Sequence, residues 1–253
     1  MGSREEVQWI RVDSTDLLRS AFDSCSTSFP QDEIDPWEWW IDEFDRTAEG
    51  THEHPYVCLV CVLDEKIIGG ITWNSFPKGK KAITAIGFLW IDGSNAQMRG
   101  KGHGRATFAK ARGLMLSDAE ARGQILDAII LEANIDPIGG VLEDTRPFWE
   151  KMGFTSIGSD AYYLPSLMFH PETGKPLNAP IRLELMVKPE SSSMPVEELL
   201  EFVREIYFDW YQPDRADFTN SDAHREAGAY VKGLFDSFAA TLSRREPASI
   251  PSS

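Results

Sequence analysis

Residues 125–133 read ILDAIILEA, a nearly unbroken apolar run. A run of that kind, rich in β-formers, suits a central strand covered on both faces. Such a strand needs neighbours, and the flanking sequence supplies them. Residues 105–122 have helical spacing, with Phe108, Ala111, Leu114 and Met115 on one face, and Gly123 closes the helix. Before it, 83–91 (ITAIGFLWI) reads as a strand. Residues 56–63 (YVCLVCVL) and 66–73 read as a hairpin turning at Asp64-Glu65, with a polar turn at 76–81. Residues 7–12 form a further short strand. Ser14 is a good N-cap for a helix carrying Leu17, Leu18, Ala21 and Phe22. Pro36 suits the start of a helix over 36–47, where Trp37, Trp40, Ile41 and Phe44 share one face.

Downstream comes a loop at 135–145, then a short helix at 146–152 ending at Gly153, and strands at 154–158 and 181–187. Residues 188–195 read as a linker. Two amphipathic helices follow, over 196–211 and 222–242, and their apolar stripes need a surface to bury against. That surface is either the sheet edge or a second copy, as in a homodimer. The tail 244–253 is expected to be disordered. The expected organisation is one α+β (α/β) domain over 1–189, a helical extension over 190–243, and the tail.

The chain has 253 residues and a formal net charge of −15. That balance argues against a nucleic-acid partner, which needs a basic face. No 18-residue apolar stretch exists, so no membrane helix is expected. The first 20 residues lack the apolar core of a signal peptide. Three cysteines, Cys25, Cys58 and Cys61, make no disulfide framework, and two of them sit in a strand. A reducing, cytoplasmic setting is the expectation. Nor is an activated thiol evident, and no metal-ligand spacing appears. The charge is uneven. Residues 1–50 carry 13 acids and 4 Lys/Arg, whereas 51–193 carry 16 acids and 15 Lys/Arg. Acidic flanks suit a cationic small amine. Within the neutral middle, Arg99, Lys101 and Arg105 lie together with no acid, which points to an anionic ligand.

The order strand, glycine-rich turn, helix binds phosphate, because a helix N-terminus offers unpaired N–H groups and a partial positive charge. The turn reads Arg99-Gly100-Lys101-Gly102-His103-Gly104, followed by Arg105-Ala106. It is not a P-loop, which needs Gly-Lys-Ser/Thr at the helix start. Nor is it a dinucleotide fingerprint, because an antiparallel meander precedes it.

These residues resemble the R/Q-x-x-G-x-G/A pyrophosphate loop of the GNAT superfamily of acetyltransferases. Phe148-Trp149-Glu150-Lys151-Met152-Gly153-Phe154 is similar to the short helix and closing turn of the same family. The element order agrees over about residues 7–189. The resemblance implies a mixed, mostly antiparallel central sheet flanked by helices, with acetyl-CoA or another acyl-CoA as co-substrate and no metal. It implies that Arg99, Gly100, Lys101, Gly102, His103, Gly104 and Arg105 hold the pyrophosphate. Backbone N–H groups around Trp90, Ile91 and Asp92 would face the thioester carbonyl, and Asn134 the pantetheine arm. In this family a Tyr on the short helix often protonates the leaving thiolate. Trp149 stands there instead, so either the thiolate leaves unaided or another group is the acid; Tyr162 and Tyr163 are the substitutes to test, with packing in or beside a strand as their structural alternative.

Acetyl transfer to an amine is helped by a general base. Alternation puts Ile130, Glu132 and Asn134 on one face of the apolar strand, so Glu132 is the first candidate, with an ion pair to Arg182 or Arg146 as its structural alternative. Asp92 is the second candidate, with turn formation before Gly93 as its alternative. Trp37 and Trp40 would wall the acceptor site, or else fill the core. The expected activity is N-acetylation of a small amine by direct transfer in a ternary complex. The rivals are an acyl-CoA-binding module without turnover, and an O- or long-chain acyltransferase.

Overall fold

The computed structural model describes residues 6–29, 34–135, 144–157, 162–166, 168–190, 194–210 and 218–243. Among the described residues, eight strands form a mixed, mostly antiparallel sheet, and six α-helices accompany it. The chain makes two compact units, Met1–Leu131 and Glu132–Ser253, so the division falls inside one strand.

In the first unit, β1 (Gln8–Arg11) pairs antiparallel with β2 (Tyr56–Leu63), which pairs with β3 (Lys66–Lys78), which pairs with β4 (Lys81–Ile91). The β2–β3 turn is the expected Asp64-Glu65, both with left-handed φ, 49° and 63°, as a two-residue hairpin requires. β3 is longer than the sequence suggests. The polar turn at 76–81 shrinks to Gly79-Lys80, because Phe76 continues the unbroken buried run at 1% exposure. Pro77 is tolerated there: β2 begins at Tyr56, which pairs with Asn74, so β3 past Ser75 needs no N–H on that side.

β4 pairs in parallel with β5 (Ile125–Asn134), from Lys81↔Ile125 to Ile86↔Leu131. The helix α3 (His103–Ala121) makes the crossover. A buried carboxylate in the apolar run, Asp127, is paired with Lys81 at 3.1 Å.

Two helices cover one face of these strands. α1 (Thr15–Ser26) starts as expected, with the Ser14 hydroxyl accepting from the Leu17 N–H, and buries Leu18, Ala21 and Cys25. α2 is Trp37–Ala48. Alternation in β2 points Tyr56, Cys58 and Val60 at these helices, where they share a core with Trp40 and Trp90. On β1, Trp9 instead donates to Thr107 of α3 at 3.2 Å.

The second unit takes the end of β5, then α4 (Arg146–Glu150), β6 (Thr155–Ser156), β7 (Tyr163–Leu164) and β8 (Ile181–Pro189). β6 and β7 each pair antiparallel with β8. The expected linker at 188–195 begins as the end of this strand; residues 191–193 lie outside the described residues. α5 (Val196–Glu205) runs into a π-helical segment, Ile206–Trp210, and α6 spans Ser221–Ser243. The apolar stripes are covered within this unit: Phe202, Val203, Tyr207 and Phe238 are fully buried. These side chains are buried in a single copy of the chain. The expected tail, 244–253, is outside the described residues.

Candidate functional site

The glycine-rich turn lies where the sequence puts it. β4 ends at Ile91, a 3-10 turn covers Gly93–Met98, and α3 starts at His103. Gly102 is the N-cap, with φ 88°, and Gly100 has φ 74°. A Cβ on either would meet nothing within 4 Å. Their glycine requirement is therefore conformational rather than steric within the protein. No side chain caps α3, and its first turn holds no acid. The first helical bond runs from the Ala106 N–H to the Gly102 carbonyl, at 3.0 Å. The N–H groups of His103, Gly104 and Arg105 thus have no acceptor inside the helix. Arg99, Gly100, Lys101 and Arg105 are exposed, and His103 and Gly104 are half-buried. Uncapped donors, the helix dipole and three cations make this end suited to a phosphate-like anion.

The end of the preceding strand differs from expectation at Trp90. Asp92 donates its N–H to the Ile68 carbonyl at 3.0 Å, and the Phe88 N–H goes to the Thr72 hydroxyl at 3.0 Å. Both bonds reach β3. Alternation then turns the Trp90 amide towards β3 as well, opposite Gly70, and the Leu89 and Ile91 amides to the other edge. Trp90 is therefore a core residue whose indole donates to the Ser24 hydroxyl at 3.1 Å, and Ile91 keeps the outward amide.

Asp92 is drawn into the same network. The Ser24 hydroxyl donates to its carboxylate at 3.1 Å. Beside it the Gly93 N–H donates to Thr27 and the Ser28 hydroxyl donates to the Ile91 carbonyl, both at 2.9 Å. The end of α1 thus clamps the end of β4, and Asp92 is buried in that clamp. Asp92, Ser24 and Thr27 also line a groove of about 1000 Å³ in the first unit, between α1 and the β2–β3 turn.

Trp40 is 3% exposed, stacked on Phe88 at 5.8 Å and edge-on to Phe22 and Trp90. It fills the core, which corrects the expectation that it walls an acceptor site. Trp37 is half-buried, with the Arg19 guanidinium 4.9 Å above its ring. The α2 acids are not all a solvated face. Glu43 is buried, accepts from Asn74 at 2.7 Å and lies 3.3 Å from His52. Its spacing three residues after Trp40, on the inward face, is the signal that marks it.

In the second unit, Glu132 and Tyr162 are brought together across thirty residues: the Tyr162 hydroxyl donates to the Glu132 carboxylate. Glu132 is half-buried, and Tyr162 is fully buried. A phenol so enclosed, with its proton on a carboxylate, orients that carboxylate; this corrects the expectation that Tyr162 protonates a leaving thiolate directly. Arg146 is taken by Asp144 at 2.6 Å, an exposed pair in which the guanidinium holds the carboxyl below its ordinary range. Trp149 packs against Phe148 and Phe154, in the core. The carbonyl of Asn134 accepts from the Thr145 N–H at 3.2 Å, closing the loop between them; residues 136–143 lie outside the described residues.

Among the described residues there is no group of three His, Cys, Asp or Glu side chains that could hold a metal ion. No described helix is long and apolar enough to cross a membrane.

No protein-family profile and no curated protein sequence matches the chain. Solved structures do match. A GNAT-family protein from Bacteroides thetaiotaomicron is 17% identical, with TM-score 0.54, over 81% of this chain and 98% of its own. The PaiA N-acetyltransferase from Thermoplasma acidophilum, in complex with coenzyme A, is 14% identical over 73% of this chain and 99% of its own, with TM-score 0.44. Arabidopsis thaliana Naa50, bound to a bisubstrate analogue, is 14% identical over 72% and 97%, with TM-score 0.47. The strand–loop–helix order around Gly102 and the alignment over nearly the whole Bacteroides chain agree: this protein has the GNAT acetyltransferase fold.

Proposed function

We propose that this protein moves an acetyl group from acetyl-CoA to the amine of a small acceptor, directly, in a ternary complex. The observation that carries the reading is the uncapped start of α3 behind Gly102, set among Arg99, Lys101 and Arg105, in a chain with this fold. The pyrophosphate is assigned to the N–H groups of His103, Gly104 and Arg105, with the three basic side chains balancing its charge. The outward amides of Leu89 and Ile91 are assigned to the thioester carbonyl, whose oxygen gains negative charge as the amine attacks. Asn134 is assigned to the pantetheine arm by resemblance.

Glu132 is the proposed general base. Its carboxylate takes the proton the amine loses as the N–C bond forms and the C–S bond breaks, and the thiolate leaves with the bonding pair. Tyr162 keeps that carboxylate oriented. Trp149 has no proton to give, and the moderate basicity of a thiolate lets it leave unaided. Asp92 is buried whereas Glu132 is only half-buried, so Asp92 ranks below Glu132. The acidic first fifty residues favour a cationic acceptor.

One observation favours a second reading, an acyl-CoA-binding module without turnover: Trp149 has no proton to give, and Tyr162 is fully buried with its proton on Glu132. Thiol release from acetyl-CoA across a panel of mono- and polyamines separates the two. The enzyme reading expects release matched by acetylated amine for at least one acceptor. Saturable CoA binding with no release for any amine would refute it.

A further inference from the structure

We propose that the C-terminal helices belong to the catalytic apparatus, with Tyr207 as a positioning residue that holds Tyr162 on the Glu132 carboxylate. The inference rests on the reading of Glu132 as the base, and it goes beyond it by giving residues 190–243 a part in the reaction.

The side chains concerned all lie in the second unit. Tyr162 is enclosed by two rings from the C-terminal helices. Tyr207 meets it edge-on at 5.7 Å and 88°, and Phe238 of α6 at 5.2 Å and 80°. All three are fully buried. Edge-on contacts of this kind contribute beyond the area they bury and restrict how a ring can turn.

The Tyr207 hydroxyl separates this arrangement from simple core packing. A phenylalanine would fill the same space without the cost of desolvating a hydroxyl. Tyr207 instead directs its proton at the Tyr163 carbonyl, at 2.6 Å, and accepts from the Tyr163 N–H at 3.4 Å. On the other side, the Tyr162 carbonyl accepts from the Leu183 N–H of β8 at 3.2 Å. The Tyr162–Tyr163 backbone is therefore pinned from two directions, and the aromatic box fixes the ring that projects from it. The remaining freedom of the phenol is spent on Glu132. Burial, and then the negative charge of Glu132, push the Tyr207 hydroxyl well above the ordinary tyrosine range. It stays a neutral donor wherever an amine acetyltransferase would work, so the clamp does not open with pH. Tyr207 also sits in the π-helical stretch Ile206–Trp210, and such widened turns recur at functional sites.

The test needs a readout that does not depend on knowing the acceptor. In protein labelled with 3-fluorotyrosine, the fluorine resonance of Tyr162 is assigned by its loss in Tyr162→Phe. Glu132→Gln sets the shift for a changed hydrogen bond. Tyr207→Phe is expected to move the Tyr162 resonance by at least half that shift. It should also slow turnover on an acceptor from the amine panel at least fivefold, with acetyl-CoA affinity unchanged. A Tyr162 resonance that stays in place in folded Tyr207→Phe overturns the inference. Should that variant fail to fold, Phe238→Leu tests the other wall of the box by turnover alone: the same fivefold loss with acetyl-CoA affinity unchanged is expected, and unchanged turnover overturns the part given to the C-terminal helices. Failure of the underlying reading looks different: Glu132→Gln would leave turnover and its pH profile unchanged, whatever the fluorine spectrum shows.

Discussion

Replacing Gly102 with tryptophan separates a phosphate-binding loop from an ordinary surface turn. At φ 88°, any L-residue there takes a left-handed conformation, which costs about 1–2 kcal/mol. A side chain adds no clash within the protein, because nothing lies within 4 Å of the Cβ position. For a chain of this length, that cost lowers Tm by roughly 2–8 °C. The expected effect on the coenzyme is far larger. The indole would stand in front of the N–H groups of His103, Gly104 and Arg105. Each charge-assisted bond to phosphate contributes about 1.5–3 kcal/mol. Losing two of them costs about 3–6 kcal/mol, which weakens CoA binding by roughly 10²–10⁴-fold. Isothermal titration with CoA, beside a thermal melt of the same sample, reads both numbers. CoA affinity within threefold of the parent protein would refute the loop assignment. A Tm lowered by more than about 15 °C would refute the open surroundings on which the contrast depends.

Trp40→Ala should behave as a core deletion, losing about 3–5 kcal/mol in a denaturant titration; a small stability loss with a large rise in acceptor KM would instead place Trp40 in the acceptor site. Burial pushes the thiols of Cys25 and Cys58 well above their ordinary range. The folded state then keeps protons that the unfolded chain gives up above about pH 8.5, so stability is whole below that pH and falls as pH rises, by about 1.4 kcal/mol per pH unit for each thiol. Denaturant titrations at pH 8 and 10 should show the fall, and Cys58→Ala should remove one thiol's share of the slope; a flat profile would mean the thiols are not shielded.

The lengths of the elements were legible wherever one short stretch of chain decides them. Ser14 caps α1, Asp64-Glu65 makes the hairpin, and Pro36 precedes α2, each through bonds or torsions within three or four residues. β3 escaped that reading. Whether Phe76 and Pro77 continue a strand depends on β2 ending opposite Asn74, which no local pattern contains. The same limit applied to Trp37 and Trp40: helical spacing puts both on one face but does not say whether that face meets core or cleft, and Phe88 and Trp90 settled it for Trp40.

By itself, the sequence determined the loop from Arg99 to Arg105. Its chemistry is local: glycines that accept positive φ, cations within seven residues, and a helix starting directly behind them. It also determined that the run at 125–133 is a strand, buried over residues 126–131, because unbroken apolarity is a property of consecutive residues. Only the tertiary structure decided what those elements meet. It put Tyr162 on Glu132, Glu43 on Asn74 and Tyr207 against Tyr162, pairs separated by roughly thirty to forty-five residues. Such pairs are set by strand register and by which apolar faces close on each other. A one-residue change in strand register would turn Glu132 and Asn74 to the opposite face, and no count of residues along the chain specifies it.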